Sequence, residues 1–187
     1  MWANDQIKLF MPVLQGILRT RFGDNTIIVE QNYQPTTQGM NTAPTVYFTQ
    51  LFPAKPVGWP EKTDALDDSD PENPVFVHTE RQKLSTTWQF MAACRRDPQD
   101  PNTPNLPTAG DYATAAMMAC SHDDFLTPLA AQGVTVLAPT PVRSVKVLNG
   151  ESEFEDWPSF DLVLCHEAVT VTTTPVAEVK DFKTMPI

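Results

Sequence analysis

The chain has 187 residues, with 13 basic side chains against 23 acidic ones and a formal charge of −10. That length fits one domain burying roughly 70% of its unfolded surface, so a single core is expected without staples. The acidic balance repels phosphate and argues against a general nucleic-acid-binding role.

The cysteines, Cys94, Cys120 and Cys165, are odd in number, widely separated and lack C-x-x-C spacing. This argues against a disulfide framework or a zinc ribbon, and reduced thiols are expected. The opening "MWANDQIKLF" has no basic segment followed by an apolar one. No window approaches the ~18 to 20 apolar residues that a membrane span requires, so a soluble, unsecreted protein is expected. Eighteen prolines stand against seven glycines and gather in the connections, which predicts stiff, extended linkers.

The first element reads as a helix. Ile7, Phe10, Leu14, Ile17, Leu18 and Phe22 recur at three- and four-residue steps, Asn4 or Asp5 can cap its start, and Gly23 can close it. Pro12 predicts a kink, or a helix that begins only at Met11. Next, "TIIVEQNY" and "TVYFTQLF" have β character and are joined by a long polar connection. Residues 53–74 carry five prolines and six acidic side chains without periodicity, which predicts an irregular excursion, either solvated or a docking arm.

"PVFVHTERQKLSTTWQFMAAC" reads as a long strand or a bent pair, with Leu84, Trp88, Phe90, Ala92 and Cys94 on one face. After a proline-punctuated loop, Thr108 is a plausible cap for "AGDYATAAMMAC", with Asp111 in its first turn. A second short helix, "DDFLTPLAAQG", is expected to be capped by Ser121 or Asp123 and stopped at Gly133. The last third returns to strands: "VTVLAP", "VRSVKVL", a turn at Asn149-Gly150, an acidic "ESEFEDWPS", and "FDLVLCHEAVTVTTT".

Cys165, His166 and Glu167 stand side by side, which raises the question of a nucleophile with its base. On an extended strand neighbours point to opposite faces. Phe160, Leu162, Leu164 and His166 therefore share one face, with Val163, Cys165 and Glu167 on the other. Thiol and imidazole cannot meet on a regular strand, and the run holds no Gly or Pro to favour a bulge. No Lys or Arg lies within it to lower a thiol pKa. Cys165 is read as a small apolar residue.

The histidines, His78, His122 and His166, make no metal-ligand spacing with one another or with the cysteines. G-x-S-x-G, H-E-x-x-H, P-loop and dinucleotide motifs are missing, and "SHDD" is explained by helix capping. No catalytic, cofactor-binding or metal residues are assigned, and no enzyme is expected.

Several segments in order carry a resemblance: "VEQNYQPTTQG", "TVYFTQL", "VHTERQKLSTTWQFMA", "PTAGDYATAAMMAC", "GVTVLAPTPVRSVKVLNGESEFEDWPSFDLVLCHE" and a closing "TTTPV". Together, over residues 5–176, the chain resembles the neck proteins of tailed bacteriophages known as gateway or tail-terminator proteins. The resemblance implies an α+β subunit, a sheet flanked by helices, assembled as a six-fold ring between the head-side connector and the top of the tail tube.

The expected architecture is one α+β domain over residues 1–174. A mostly antiparallel sheet is flanked by an N-terminal helix and a central helix pair, with long proline-rich loops and a C-terminal arm at 175–187. The expected function is that of a structural ring subunit in the virion neck, assembled in the host cytoplasm. It would bind copies of itself as a hexamer, a head-side connector or collar protein and a tail-tube protein.

DNA would pass without specific binding, since each neutralised phosphate adds affinity through counterion release and slows transit. Neither a cofactor nor a membrane is expected. Trp59, Asp67, Asp68, Phe182 and Ile187 are the candidate interface residues, the aromatics because such residues in polar context are common anchors. Glu151, Glu153 and Glu155 are candidates for an acidic channel lining. The alternatives are a tail-tube or baseplate ring subunit, or a small soluble ligand-binding domain or enzyme.

Overall fold

The computed structural model describes residues 3–32, 43–70, 73–94, 105–144, 146–148 and 154–176. In chain order these form α1 (Ala3–Phe22), β1 (Ile28–Gln31), β2 (Thr45–Pro56), β3 (Glu61–Asp67), β4 (Val75–Ala93), α2 (Ala109–Ala119) and α3 (Asp123–Ala130). The strands β5 (Val134–Val136), β6 (Lys146–Leu148), β7 (Phe154–Asp156) and β8 (Ser159–Pro175) follow. The fold is α+β, as the residue patterns predict. The main sheet runs β1-β2-β4-β8-β5 with β3 also on β4, and β6 and β7 form a separate hairpin. Only β1 with β2 is parallel among these pairings.

α1 lies across the sheet because every fourth residue faces it: Gln6, Phe10, Leu14 and Leu18 are buried. Phe10 sets its edge against the rings of Phe48, Trp88 and Phe90 at centroid distances of 5.0, 5.3 and 5.6 Å. Phe90 in turn stacks on Phe160 at 5.2 Å. Such pairs contribute about 0.5 to 1.5 kcal/mol each beyond their buried area.

The helix runs unbroken through Pro12, contrary to the expected kink or late start. Pro12 and Lys8 both face solvent. The carbonyl of Lys8, which loses its partner at the proline, can therefore be hydrated, and apolar contacts on the opposite face hold the helix. Gly23, at φ 62°, ends it in the left-handed conformation, where the Asp24 amide reaches back to the Arg19 carbonyl.

Thr108 caps α2 in a full capping box: its hydroxyl accepts from the Asp111 amide at 3.1 Å, and the Asp111 carboxylate accepts from the Thr108 amide at 2.7 Å. α3 is capped by His122 instead of the expected Ser121 or Asp123, with Nδ1 accepting from the Asp124 amide at 3.3 Å. The acidic pair Asp123 and Asp124 then occupies the first turn, where the helix dipole favours it.

The largest departure from the sequence reading lies in residues 53–74. They are not an irregular excursion: β2 continues to Pro56, and Glu61–Asp67 form β3, paired antiparallel with β4 from Glu61↔Arg81 to Asp67↔Val75. The sequence EKTDALD has little intrinsic strand preference, so the long partner β4 imposes the extended state.

Candidate assembly interface

The two longest strands, β4 and β8, pair in unbroken register from Met91↔Ser159 to Val75↔Pro175. This divides each into a half inside the core and a half outside it. In the core half, Thr86, Trp88, Phe90 and Ala92 of β4 and Phe160, Leu162, Leu164 and His166 of β8 face the helices and are buried. Beyond Leu84 and His166 the same strands continue without a helix above them among the described residues. β3 occupies the β4 edge that β2 leaves. The outcome is a three-stranded arm of β3, the first half of β4 and the second half of β8. It is about 30 Å long at 3.4 Å per residue.

Both faces of this arm meet solvent. On the face opposite the helices, Val169 and Val171 are 50% and 58% exposed, and Phe52 stands at its root at 57%. Val77 and Ala65 lie in register beside this stripe. The ion pair of Arg81 with Glu167, at 3.2 Å, sits on the same face.

On the helix-side face, Leu66 and Phe76 are exposed opposite one another near the tip. His78 bridges the three strands there, with Nδ1 2.8 Å from Asp64 Oδ1 and Nε2 3.0 Å from Thr174 Oγ1. Lys62 lies 3.6 Å from Glu80 on that face as well. These exposed pairs fix register and add little stability. Among the described residues no strand pairs with the outer edge of β3, or with β8 beyond His166. Open edges of this kind are templates for another chain.

Between β2 and β3 the chain turns at residues 57–60. The Val57 backbone amide donates to the Lys83 carbonyl at 2.8 Å, and the Gln82 side-chain Nε2 donates to the carbonyls of Val57 and Gly58 at 3.5 and 3.4 Å. Gly58 takes φ 75°, a conformation that a residue with a Cβ rarely adopts. This turn presents Trp59, which is 96% exposed.

Asp67 and Asp68 lie exposed at the distal end of β3. There Ser69 donates its amide to Asp67 Oδ1 at 3.1 Å, and bonds from the Ser69 side chain and amide hold the Asp67 carboxyl below its ordinary pKa. Trp59, Asp67 and Asp68 thus fall on one arm. Phe182, Ile187, Glu151 and Glu153 lie outside the described residues, as does most of the segment 175–187. Glu155 is placed in β7, opposite Val147.

The Cys165-His166-Glu167 question has a geometric answer. His166 is buried on the helix side, while Cys165 and Glu167 face away. Sequence reasoning missed the residue that meets His166, Gln6 of α1. The Trp88 indole can only donate, and it gives its proton to Gln6 Oε1 at 3.0 Å. Gln6 must then direct its amide group at Thr86 Oγ1, 3.4 Å away, and at His166 Nδ1, 3.2 Å away.

His166 Nδ1 is accordingly an acceptor, with the ring proton on Nε2. The network clamps α1 onto β4 and β8. Its signal was legible in principle, since Gln6 stands four residues before Phe10 in the buried stripe. Cys120 is buried in apolar surroundings that push its thiol pKa upward, which leaves it unreactive. Among the described residues no group of His, Cys, Asp and Glu side chains is arranged to hold a metal ion, and no helix is long and apolar enough to cross a membrane.

Among the described residues, then, a helix-backed antiparallel sheet projects a β arm with exposed faces and unpaired outer edges. The family model described as E217 gateway protein gp29 matches residues 11–176, and the chain belongs to that family. It is a phage gateway protein, a structural component of the virion neck. No curated protein matches the chain.

Proposed function

We propose that the chain is one subunit of a closed, six-fold ring in the phage neck. The ring joins a head-side connector or collar protein to the tail-tube protein and leaves a passage for DNA. The observation that carries this reading is the arm: strands that begin in the core run out of it with both faces exposed and, among the described residues, both outer edges unpaired. An isolated ribbon of this kind has little reason to be so long unless something else covers it.

A closed ring needs heterologous contacts, in which one surface of each subunit meets a different surface of the next. An arm projecting from a helix-backed base supplies such a pair. The charge of −10 suits a passage that must not retain DNA, because binding scales with the number of phosphates neutralised. Glu151, Glu153 and Glu155 are proposed to face that passage. Phe182 and Ile187, in the C-terminal segment 175–187, are proposed to add contacts to a neighbouring subunit or ring, and Asp67 and Asp68 to meet basic groups there. Assembly takes place in the host cytoplasm before the neck is completed.

Mass-resolved light scattering of the purified chain over a concentration series, with negative-stain imaging, tests the reading. Rings of six subunits with an open centre are expected. A compact monomer at the highest concentrations, alone and with tail tubes added, would contradict it.

A further inference from the structure

A second uncovered feature lies on the helix layer. Between α1 and the turn joining α2 to α3 runs an open groove of about 520 Å³. Val13, Ile17, Met118 and Ala119 give it an apolar wall. Gly16 lowers the helix surface there, and a Cβ at that position would meet nothing within 4 Å. Arg21 stands at the rim; its guanidinium donates to the Met118 sulfur at 3.8 Å and makes no ion pair among the described residues. His122 and Asp124 also line the groove, with His122 Nδ1 3.3 Å from Asp124 Oδ2. A large apolar side chain with a carboxylate directed at Arg21 would complement this site.

We propose that Trp59 of one subunit seats in this groove on a second copy of the chain, with Glu61 reaching Arg21; the inference rests on the ring reading above. Trp59 does not occupy the groove of its own subunit, since it is 96% exposed. It is also presented by a turn already pinned to β4 through Val57 and Gln82, so little conformational freedom is lost on docking.

Glu61, two residues on, forms no ion pair among the described residues and supplies the complementary charge. A guanidinium beside an indole adds a cation–π attraction. Donor and acceptor surfaces differ, arm loop on one side and helix groove on the other. The contact is therefore head to tail, the kind that can close into a ring. A tryptophan in an apolar pocket with an arginine at its edge matches the usual composition of interface hot spots.

The test uses the full chain with a photoreactive benzoylphenylalanine in place of Trp59, irradiated under ring-forming conditions. A ladder of covalent oligomers is expected, with adducts mapped to Ile17, Met118 or their neighbours in the groove. In parallel, Trp59→Ala should raise the concentration for half-assembly by about tenfold or more while the thermal melting of the dilute monomer stays unchanged. Arg21→Glu should weaken assembly as well, and Glu61→Arg added to it should restore part of the loss.

Rings that form with normal concentration dependence in Trp59→Ala, or adducts that map elsewhere, would overturn the docking and leave the ring reading intact. A wild-type chain that stays monomeric would overturn both.

Discussion

The two halves of β8 have the same backbone partner and opposite surroundings. From Ser159 to His166 alternate side chains are buried beneath α1 and its neighbours. From Glu167 to Pro175 the pairing with β4 continues, yet Thr170, Thr172 and Thr174, on the same face as that buried row, are exposed. Hydrogen bonding along a ladder therefore does not by itself make a core. The base derives its stability from aromatic packing and one buried polar network. The arm keeps its strand geometry through pairing with its neighbours, and its apolar stripe is exposed.

Substitutions should separate the halves most sharply in the core. Trp88→Ala removes the centre of the aromatic cluster and leaves Gln6 Oε1 without its donor, and a loss of about 3 to 5 kcal/mol is expected by denaturant titration. Val171→Ala, on the same ladder but in the arm, should stay within about 0.5 kcal/mol. Comparable losses at both positions would erase the distinction between base and arm.

Gln6→Leu tests the polar network alone. It strands the Trp88 indole proton and the acceptor on His166, and should cost about 1 to 3 kcal/mol. Equal stability would show that α1 is held by apolar contact only.

Thr108→Ala breaks the α2 capping box and should cost about 1 kcal/mol, again read from denaturant midpoints. The smallest effect belongs to Asp67. Its folded pKa lies below the ordinary 3.8, so the contribution of its Ser69 bonds is fully present above that value and disappears as pH falls through the lower folded one. Carbon-detected NMR titration should show Asp67 retaining its charge to lower pH than a carboxyl at its ordinary value. Ser69→Ala should shift Asp67 upward without moving the melting temperature at pH 7.

Much of the base could be read from residues alone. The helical stripe of Phe10, Leu14 and Leu18, the alternation through Phe160, Leu162 and Leu164, and the Thr108–Asp111 box are local signals in contiguous segments. So was the separation of Cys165 from His166, which follows from strand alternation.

The strand at Glu61–Asp67 was not legible, because its charged, proline-flanked sequence becomes extended only by pairing with β4. Gln6 was overlooked because a polar residue at the edge of a stripe looks like surface until a donor such as Trp88 is brought to it from 82 positions away. The groove also lacks a sequence signal, since α1 and the α2–α3 turn meet only in the folded chain. Trp59 was legible as an aromatic in polar context, and the structure adds its exposure and the pinned turn that presents it.

Hydrogen–deuterium exchange of dilute monomer against concentrated, assembled protein tests most directly whether the arm is the surface that assembly covers. Peptides spanning Glu61–Asp67 and the 167–175 half of β8 should exchange quickly in the monomer and slow on assembly, while those from the core halves of β4 and β8 remain unchanged. Arm peptides that exchange at one rate in both states, with protection gained only in the base, would contradict the account.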